Sequence, residues 1–233
     1  MIKNEGVKMV IKTNSESSTK SYQIACEKIL LPGILTIPSN AESVVVFAHG
    51  SGSGRLSKRN QYVAKVLENA GLATFQFDLL NETEAIDKKK VFDIDLLANR
   101  LGVVSEWLNH QPETCSFSIG FFGASTGGGA ALVAAARNPN LIRAVVSRGG
   151  RPDLAEDELN FVIAPTLLIV GENDAPVIAL NRMAFDKLYC EKKMVIIKGA
   201  THLFPELGAL EEVAILAKDW FVNHLAPIKI HLK

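Results

Sequence analysis

The sequence predicts an α/β fold in which a parallel sheet is covered by helices, and three observations carry that expectation. Short apolar runs rich in β-branched residues alternate along the chain with longer segments whose apolar positions repeat at helical spacing. At 233 residues, 48% hydrophobic and 21% charged, the chain can supply one large core, since roughly 70–75% of an unfolded surface is buried at this size. No repeat, low-complexity tract or composition break marks a linker, so residues 1–233 read as one domain, with 1–20 loosely ordered.

The expected strands are Gly33–Ile37, Val44–Ala48, Ala73–Phe77, Phe117–Phe122, Ala144–Ser147, Thr166–Val170 and Met194–Ile197. Most are unbroken apolar runs, the pattern of strands buried on both faces. The expected helices lie between them. Ser57–Asn69 opens on an N-cap serine and stops before Gly71, and Phe92–His110 carries Leu96, Leu97, Leu101, Val104 and Leu108 on one broad face. Thr126–Ala136 is rich in alanine, and Ala175–Leu188 and Leu210–Leu225 complete the set. Lys88-Lys89-Lys90, with acids around it, reads as a solvated loop.

Composition narrows the function classes. Twenty-five basic residues balance twenty-five acidic ones, so there is no electrostatic footprint for nucleic acid and no polybasic membrane patch. The expected partner is a small-molecule substrate, with the chain a monomer or small homo-oligomer. The three cysteines, Cys26, Cys115 and Cys190, lack any metal or CxxC spacing. With no apolar run near the N-terminus longer than Met9–Ile11, neither a signal peptide nor a membrane span is expected, and the location read from these features is cytoplasmic.

The informative segment is Ile119-Gly120-Phe121-Phe122-Gly123-Ala124-Ser125-Thr126-Gly127-Gly128-Gly129, a strand running through Gly-x-Ser-x-Gly into a helix. This is the nucleophile-elbow arrangement. The serine must sit on a sharp turn that lifts its hydroxyl clear of the sheet, and the residues two before and two after it come too close for side chains. Gly123 and Gly127 meet that need. Neither this segment nor His49-Gly50-Ser51-Gly52-Ser53-Gly54 has the spacing of a phosphate-cradling loop.

An activated serine needs a base, and the base an orienting carboxylate. Three histidines follow Ser125. His202 sits on a loop between the strand ending at Ile197 and the last helix; His224 ends that helix, where a cation suits the dipole, and His231 is in the tail. His202 is therefore the expected base. The strand Thr166–Val170 runs into Gly171-Glu172-Asn173-Asp174, which puts Asp174 at the C-terminal edge of the sheet as the expected carboxylate, with Glu172 its nearest competitor. The oxyanion donors are expected to be the amides of Thr126 and Ser51, with Gly52 an alternative to Ser51, and His49 is expected to brace its loop.

The HGSGSG loop, the GASTGG elbow, the GEND turn and the GATHLF loop, in that order, resemble the α/β-hydrolase superfamily and in particular its dienelactone-hydrolase-like branch. The resemblance spans about Gly33 to Leu225. It implies a mostly parallel sheet of about eight strands with an early antiparallel strand, and hydrolysis of small esters or lactones. One departure is that dienelactone hydrolases proper use a cysteine nucleophile, where this chain has Ser125.

The stretch between the strands at Ala144 and Thr166 is too short for a helical lid. Within it, Arg148 or Arg151 is expected to contact an anionic group on the substrate, or else the arginines pair with Asp153, Glu156 or Asp157 to pin the loop. Arg55, Lys58 and Arg59 raise the same question, their alternative being the solvated start of a helix. The expected activity is acyl transfer to water from an ester, lactone or thioester, requiring no metal or organic cofactor. Two other readings share these residues: a ligand-binding or interaction scaffold without hydrolysis, and a serine peptidase.

Overall fold

A computed structural model describes residues 17–226; the stretch 1–16 and the tail that carries His231 lie outside the described residues. The strands are β1 (Ser18–Cys26), β2 (Ile29–Ile37), β3 (Ser43–Ala48), β4 (Ala73–Phe77), β5 (Ser118–Ala124), β6 (Ile142–Arg148), β7 (Thr166–Gly171) and β8 (Lys192–Ile197). They form one sheet in the order β1-β2-β4-β3-β5-β6-β7-β8. β2 runs antiparallel to β1 and β4, and every pairing from β4 to β8 is parallel. This is the eight-stranded, mostly parallel sheet with an early antiparallel strand that the resemblance implies.

The helices are α1 (Lys58–Asn69), α2 (Glu82–Ala85), α3 (Lys88–Val91), α4 (Ile94–His110), α5 (Thr126–Arg137), α6 (Ala175–Lys187) and α7 (Ala209–His224). Because strand side chains alternate, β3 sends Val44, Val46 and Ala48 into a core shared with α4 and α5, and Val45 and Phe47 into one shared with α1 and α7. Phe121 and Phe122 of β5 divide the same way. Each fully buried leucine or phenylalanine contributes roughly 1.5–3 kcal/mol. Gly120 lies under α7, where a Cβ would come within 2.9 Å of the Phe221 ring. Between β6 and β7 there is only a 3-10 segment, Pro152–Phe161, kinked at Glu156, so the edge of the sheet bearing Ser125 has no helical lid there. Among the described residues no helix is long and apolar enough to cross a membrane.

The differences from expectation have local causes. β1 is an edge strand whose residues Ser18–Ser21 are exposed and only Ile24 and Cys26 fully buried; with so few inward positions it leaves little apolar signal. α4 begins two residues later than expected because the Asp93 carboxylate accepts the Leu96 amide at 2.9 Å and caps it, leaving Phe92 outside and exposed. The lysine run forms the one-turn α3, capped by Asp87. α2 is a capping box, Asn81 and Glu84 bonding each other's backbone, a signature visible in Asn-Glu-Thr-Glu.

Candidate active site

The backbone of β5 turns into α5 through Ser125 at φ 52° and ψ −123°. A non-glycine residue in that region costs on the order of 1–3 kcal/mol and persists only where the surroundings enforce it. Here they do. The Ser125 carbonyl accepts the Gly128 and Arg151 amides, both at 2.9 Å, and the Ser125 amide donates to the Arg148 carbonyl at 3.3 Å. Glycines make the approach possible: a Cβ on Gly123 would meet the Gly127 carbonyl oxygen at 2.5 Å, and one on Gly127 the Ala48 carbonyl oxygen at 2.2 Å. Both obstacles are backbone. Gly127→Ala is therefore expected to lower unfolding stability by roughly 2–3 kcal/mol, measurable by urea titration; an unchanged midpoint would mean that the elbow has room it does not display.

The loop after β3 lies against this turn, since a Cβ on Gly50 would come within 2.9 Å of the Ser125 Cβ. The Ser51 amide, expected as an oxyanion donor, donates to the Thr126 hydroxyl at 3.1 Å. That bond ties the two expected oxyanion residues together and must be shared or released for Ser51 to serve a substrate. Gly52 follows at φ +66°. His49 braces the loop: Nδ1 donates to the Gly50 carbonyl at 3.0 Å while Nε2 accepts the Leu79 amide at 2.9 Å. Burial pushes its pKa down, so the ring stays neutral, as the bond accepted by Nε2 requires.

His202 and Asp174 meet across 28 residues, with Nδ1 donating to Oδ2 at 2.6 Å. Asp174 occupies the N-cap position of α6 yet makes no capping bond, because its carboxylate is turned to the histidine. Gly171 lets the two loops close, a Cβ there lying 2.4 Å from the Ala200 carbonyl oxygen. Glu172, the rival carboxylate, instead accepts the Gly199 amide at 2.7 Å and pins the turn that leads to His202. Among the described residues Ser125 Oγ has no hydrogen bond to His202; such contacts commonly tighten only once a substrate is bound. His224 sits at the end of α7, stacked on Trp220 and facing Glu191.

The arginines separate. Arg151 donates through Nε and a terminal nitrogen to the two Asp153 oxygens at 2.9 and 2.8 Å, the loop-pinning alternative, and reaches Ser125 only through its backbone amide. Arg148 points into the opposite layer, donating to Asn60 Oδ1 at 3.3 Å with its guanidinium 5.9 Å from the centre of the Phe204 ring. The Gly150 carbonyl between them accepts from the Asn181 side-chain Nδ2 at 3.0 Å.

A cleft of about 600 Å3 opens beside the loop after β3, lined by Ser51 and Thr126 together with Leu30, Pro32, Leu79 and Leu80. Its outer wall is the turn after β4. Arg100, buried on α4, donates to the Leu79 carbonyl at 2.6 Å and to both Glu84 oxygens at 2.8 Å, and Arg55 pairs with Asp78. No spacing in the sequence points to the Arg100–Glu84 pair, whose members stand 16 residues apart on different helices; only the capping box at Asn81–Glu84 flags the position.

The sequence matches the model of the dienelactone hydrolase family over residues 31–214. A solved structure of a dienelactone hydrolase from Anabaena variabilis is 53% identical, covering 90% of this chain and 99% of its own, with a TM-score of 0.87. Est1E from Butyrivibrio proteoclasticus has a TM-score of 0.76 at 19% identity over 89% of this chain and 99% of its own, a likeness of fold alone. Two Mycobacterium tuberculosis proteins, each named "Putative phosphoribosyl transferase", are 55% identical over 206 residues, which is 88% of this chain and 46% of theirs. The chain thus spans about half the length of these curated relatives.

Proposed function

The chain belongs to the dienelactone hydrolase family, and from that premise we propose that it is a serine hydrolase cleaving a small ester-like substrate through an acyl-enzyme intermediate. The observation that supports this reading is the 2.6 Å hydrogen bond from His202 Nδ1 to Asp174 Oδ2 at the edge of the sheet where Ser125 is held at positive φ. That bond fixes the tautomer in which Nε2 is free to accept a proton. His202 Nε2 takes the Ser125 proton as Oγ bonds to the substrate carbonyl carbon. The amides of Thr126 and Ser51, or Gly52, hold the resulting oxyanion. Collapse of the tetrahedral species breaks the bond to the leaving group, which departs with the proton from His202. Water, deprotonated by the same imidazole, then attacks the acyl carbon and frees the acid and Ser125.

The cleft beside Ser51 and Thr126, apolar along Leu30, Pro32, Leu79 and Leu80, fits the non-reacting part of a small substrate. No step calls on a metal or an organic cofactor. A fluorophosphonate probe tests the reading, because it reacts only with an activated serine. Labelling is expected on the peptide that contains Ser125, located by mass. Absence of labelling, or labelling elsewhere, would favour a scaffold that binds without hydrolysing.

A further inference from the structure

Asn181 is a fully buried polar residue in the middle of α6. Asparagine is a poor choice there on two counts, since it lowers helix propensity and its amide must find partners out of water. Its Nδ2 donates to the Val177 carbonyl at 2.8 Å, one turn back on the same helix, and to the Gly150 carbonyl at 3.0 Å. Its Oδ1 is buried with no hydrogen-bond partner among the described residues. The opposite orientation of the amide would set Oδ1 against two carbonyl oxygens. The donor is therefore what this position retains, and an orphaned acceptor is tolerated beside it.

The Gly150 carbonyl belongs to the same peptide unit as the Arg151 amide, and that amide donates to the Ser125 carbonyl at 2.9 Å. One planar group thus stands between Asn181 and the serine turn. Gly150 does not fix that plane by itself. A Cβ there would lie 1.8 Å from Ser147 Oγ, so the position requires glycine, whose backbone torsions are the least restricted. The bond from Asn181 supplies the constraint, and by polarising the carbonyl it strengthens the amide donor on the other side of the plane. Ser125, at φ 52° and ψ −123°, keeps its backbone only while the surroundings enforce it. Of the two amides that hold its carbonyl, Gly128 lies in the elbow's own helix, and Arg151 alone comes from another segment. Asn181 also lies two turns after Asp174, on the same face of α6. The helix that presents the carboxylate to His202 therefore holds the turn that presents Ser125 as well. Gly149, in the same loop, packs against the histidine, the His202 carbonyl oxygen lying 3.0 Å from where its Cβ would stand.

We propose that Asn181 is a positioning residue that sets the Ser125 turn through the Gly150–Arg151 peptide and so aligns Oγ with the His202–Asp174 pair. This rests on the hydrolase reading. Asn181 does not line the cleft beside Ser51 and Thr126, so its effect is on the orientation of the attacking atom and not on substrate binding. Its loss falls on kcat and leaves KM nearly unchanged.

The test measures steady-state kinetics on p-nitrophenyl acetate, the rate of fluorophosphonate labelling of Ser125, and the thermal midpoint. In Asn181→Leu, which keeps the volume and removes the donor, kcat and the labelling rate are expected to fall about 10–100-fold with KM within about threefold of wild type. Asn181→Ser covers the case in which the leucine variant does not fold. Its hydroxyl, one atom shorter, still bonds the carbonyl one turn back but stops short of Gly150, so kcat should fall as it does with leucine. Thr114→Val is the control: Thr114 is fully buried and donates to the Leu108 carbonyl at 2.6 Å, a bond of the same kind placed before β5, at the edge of the sheet away from Ser125. It should lower the thermal midpoint and leave kcat unchanged. Wild-type kcat and labelling in either folded Asn181 variant overturns the proposal. So does a loss carried by KM alone, a loss of kcat in Thr114→Val as large as in Asn181→Leu, or failure of both Asn181 variants to fold. If wild type itself neither turns over the ester nor labels, the hydrolase reading fails and the positioning role falls with it.

Discussion

Ser125→Ala is expected to lower the turnover of a short-chain p-nitrophenyl ester by about 10^4-fold or more while leaving the thermal midpoint nearly unchanged. The two halves of this expectation have separate origins. In the proposed mechanism, removing Oγ deletes the atom that forms the acyl bond, and neither the histidine pair nor the proposed oxyanion amides replaces it. Stability is retained because alanine keeps the Cβ that already occupies the strained backbone at φ 52°, and because the bonds that enforce the turn are made by backbone atoms of Ser125. Ser125→Gly separates the effects: it is expected to be equally inactive yet somewhat more stable, since glycine adopts positive φ without the steric cost. Steady-state kinetics beside differential scanning calorimetry check both. Wild-type turnover in the alanine variant would remove Ser125 from the mechanism.

Glu84→Ala is expected to cost about 3–5 kcal/mol of unfolding stability, a fall in Tm of roughly 10 °C for a domain this size. Arg100 is 4% exposed and Glu84 6%, so deleting one leaves the other charged, buried and without its partner. The apolar double variant Glu84→Leu with Arg100→Met should be markedly more stable than Glu84→Ala, because it leaves no orphaned charge. The same pair sets an acid limit. The Arg100 guanidinium, aided by Lys90 and the Asn81 backbone, draws the Glu84 carboxyl down to about 2 against the opposing effect of burial. With the folded value below the unfolded one, the unfolded chain binds more protons in the interval between them, so stability falls as pH falls. The stabilisation is fully present above about pH 5 and is lost as pH drops towards 2, amounting to about 3 kcal/mol. Urea midpoints at pH 6 and pH 3 check the sign: wild type should lose stability between them, and the apolar double variant should lose less. Because Arg100 also holds the Leu79 carbonyl, Glu84→Ala should raise KM for substrates that fill the cleft beside Leu79.

The strands β3 to β7 and the helices α1, α5, α6 and α7 were legible in the sequence to within a residue or two at most of their ends. Their signal is local: each carries enough buried residues in sequence to show its period. The antiparallel β1 was not, since an edge strand with two fully buried side chains has almost no period to read. The elbow was legible for a different reason. Gly123, Ser125 and Gly127 answer a steric demand set within five residues, and the obstacles at 2.5 and 2.2 Å are what that spacing anticipates.

Contacts between distant segments had no such signal. The sequence ordered Ser125, Asp174 and His202 along the chain, while the tertiary structure alone brought His202 Nδ1 within 2.6 Å of Asp174 and turned Glu172 away to Gly199. It also decided the arginines. Arg148 and Arg151 are three residues apart, yet one follows the end of β6 into the layer of α1 and Phe204 while the other turns to Asp153. Which counter-charge a guanidinium finds depends on what packs against it from elsewhere in the chain, as Asn60 does on Arg148 from 88 residues away. By itself, then, the sequence determined the layers of the fold and the serine turn, both set by short-range sterics and periodicity. Only the folded chain decided which charges are paired, because pairing is a property of packed layers and not of neighbours in sequence.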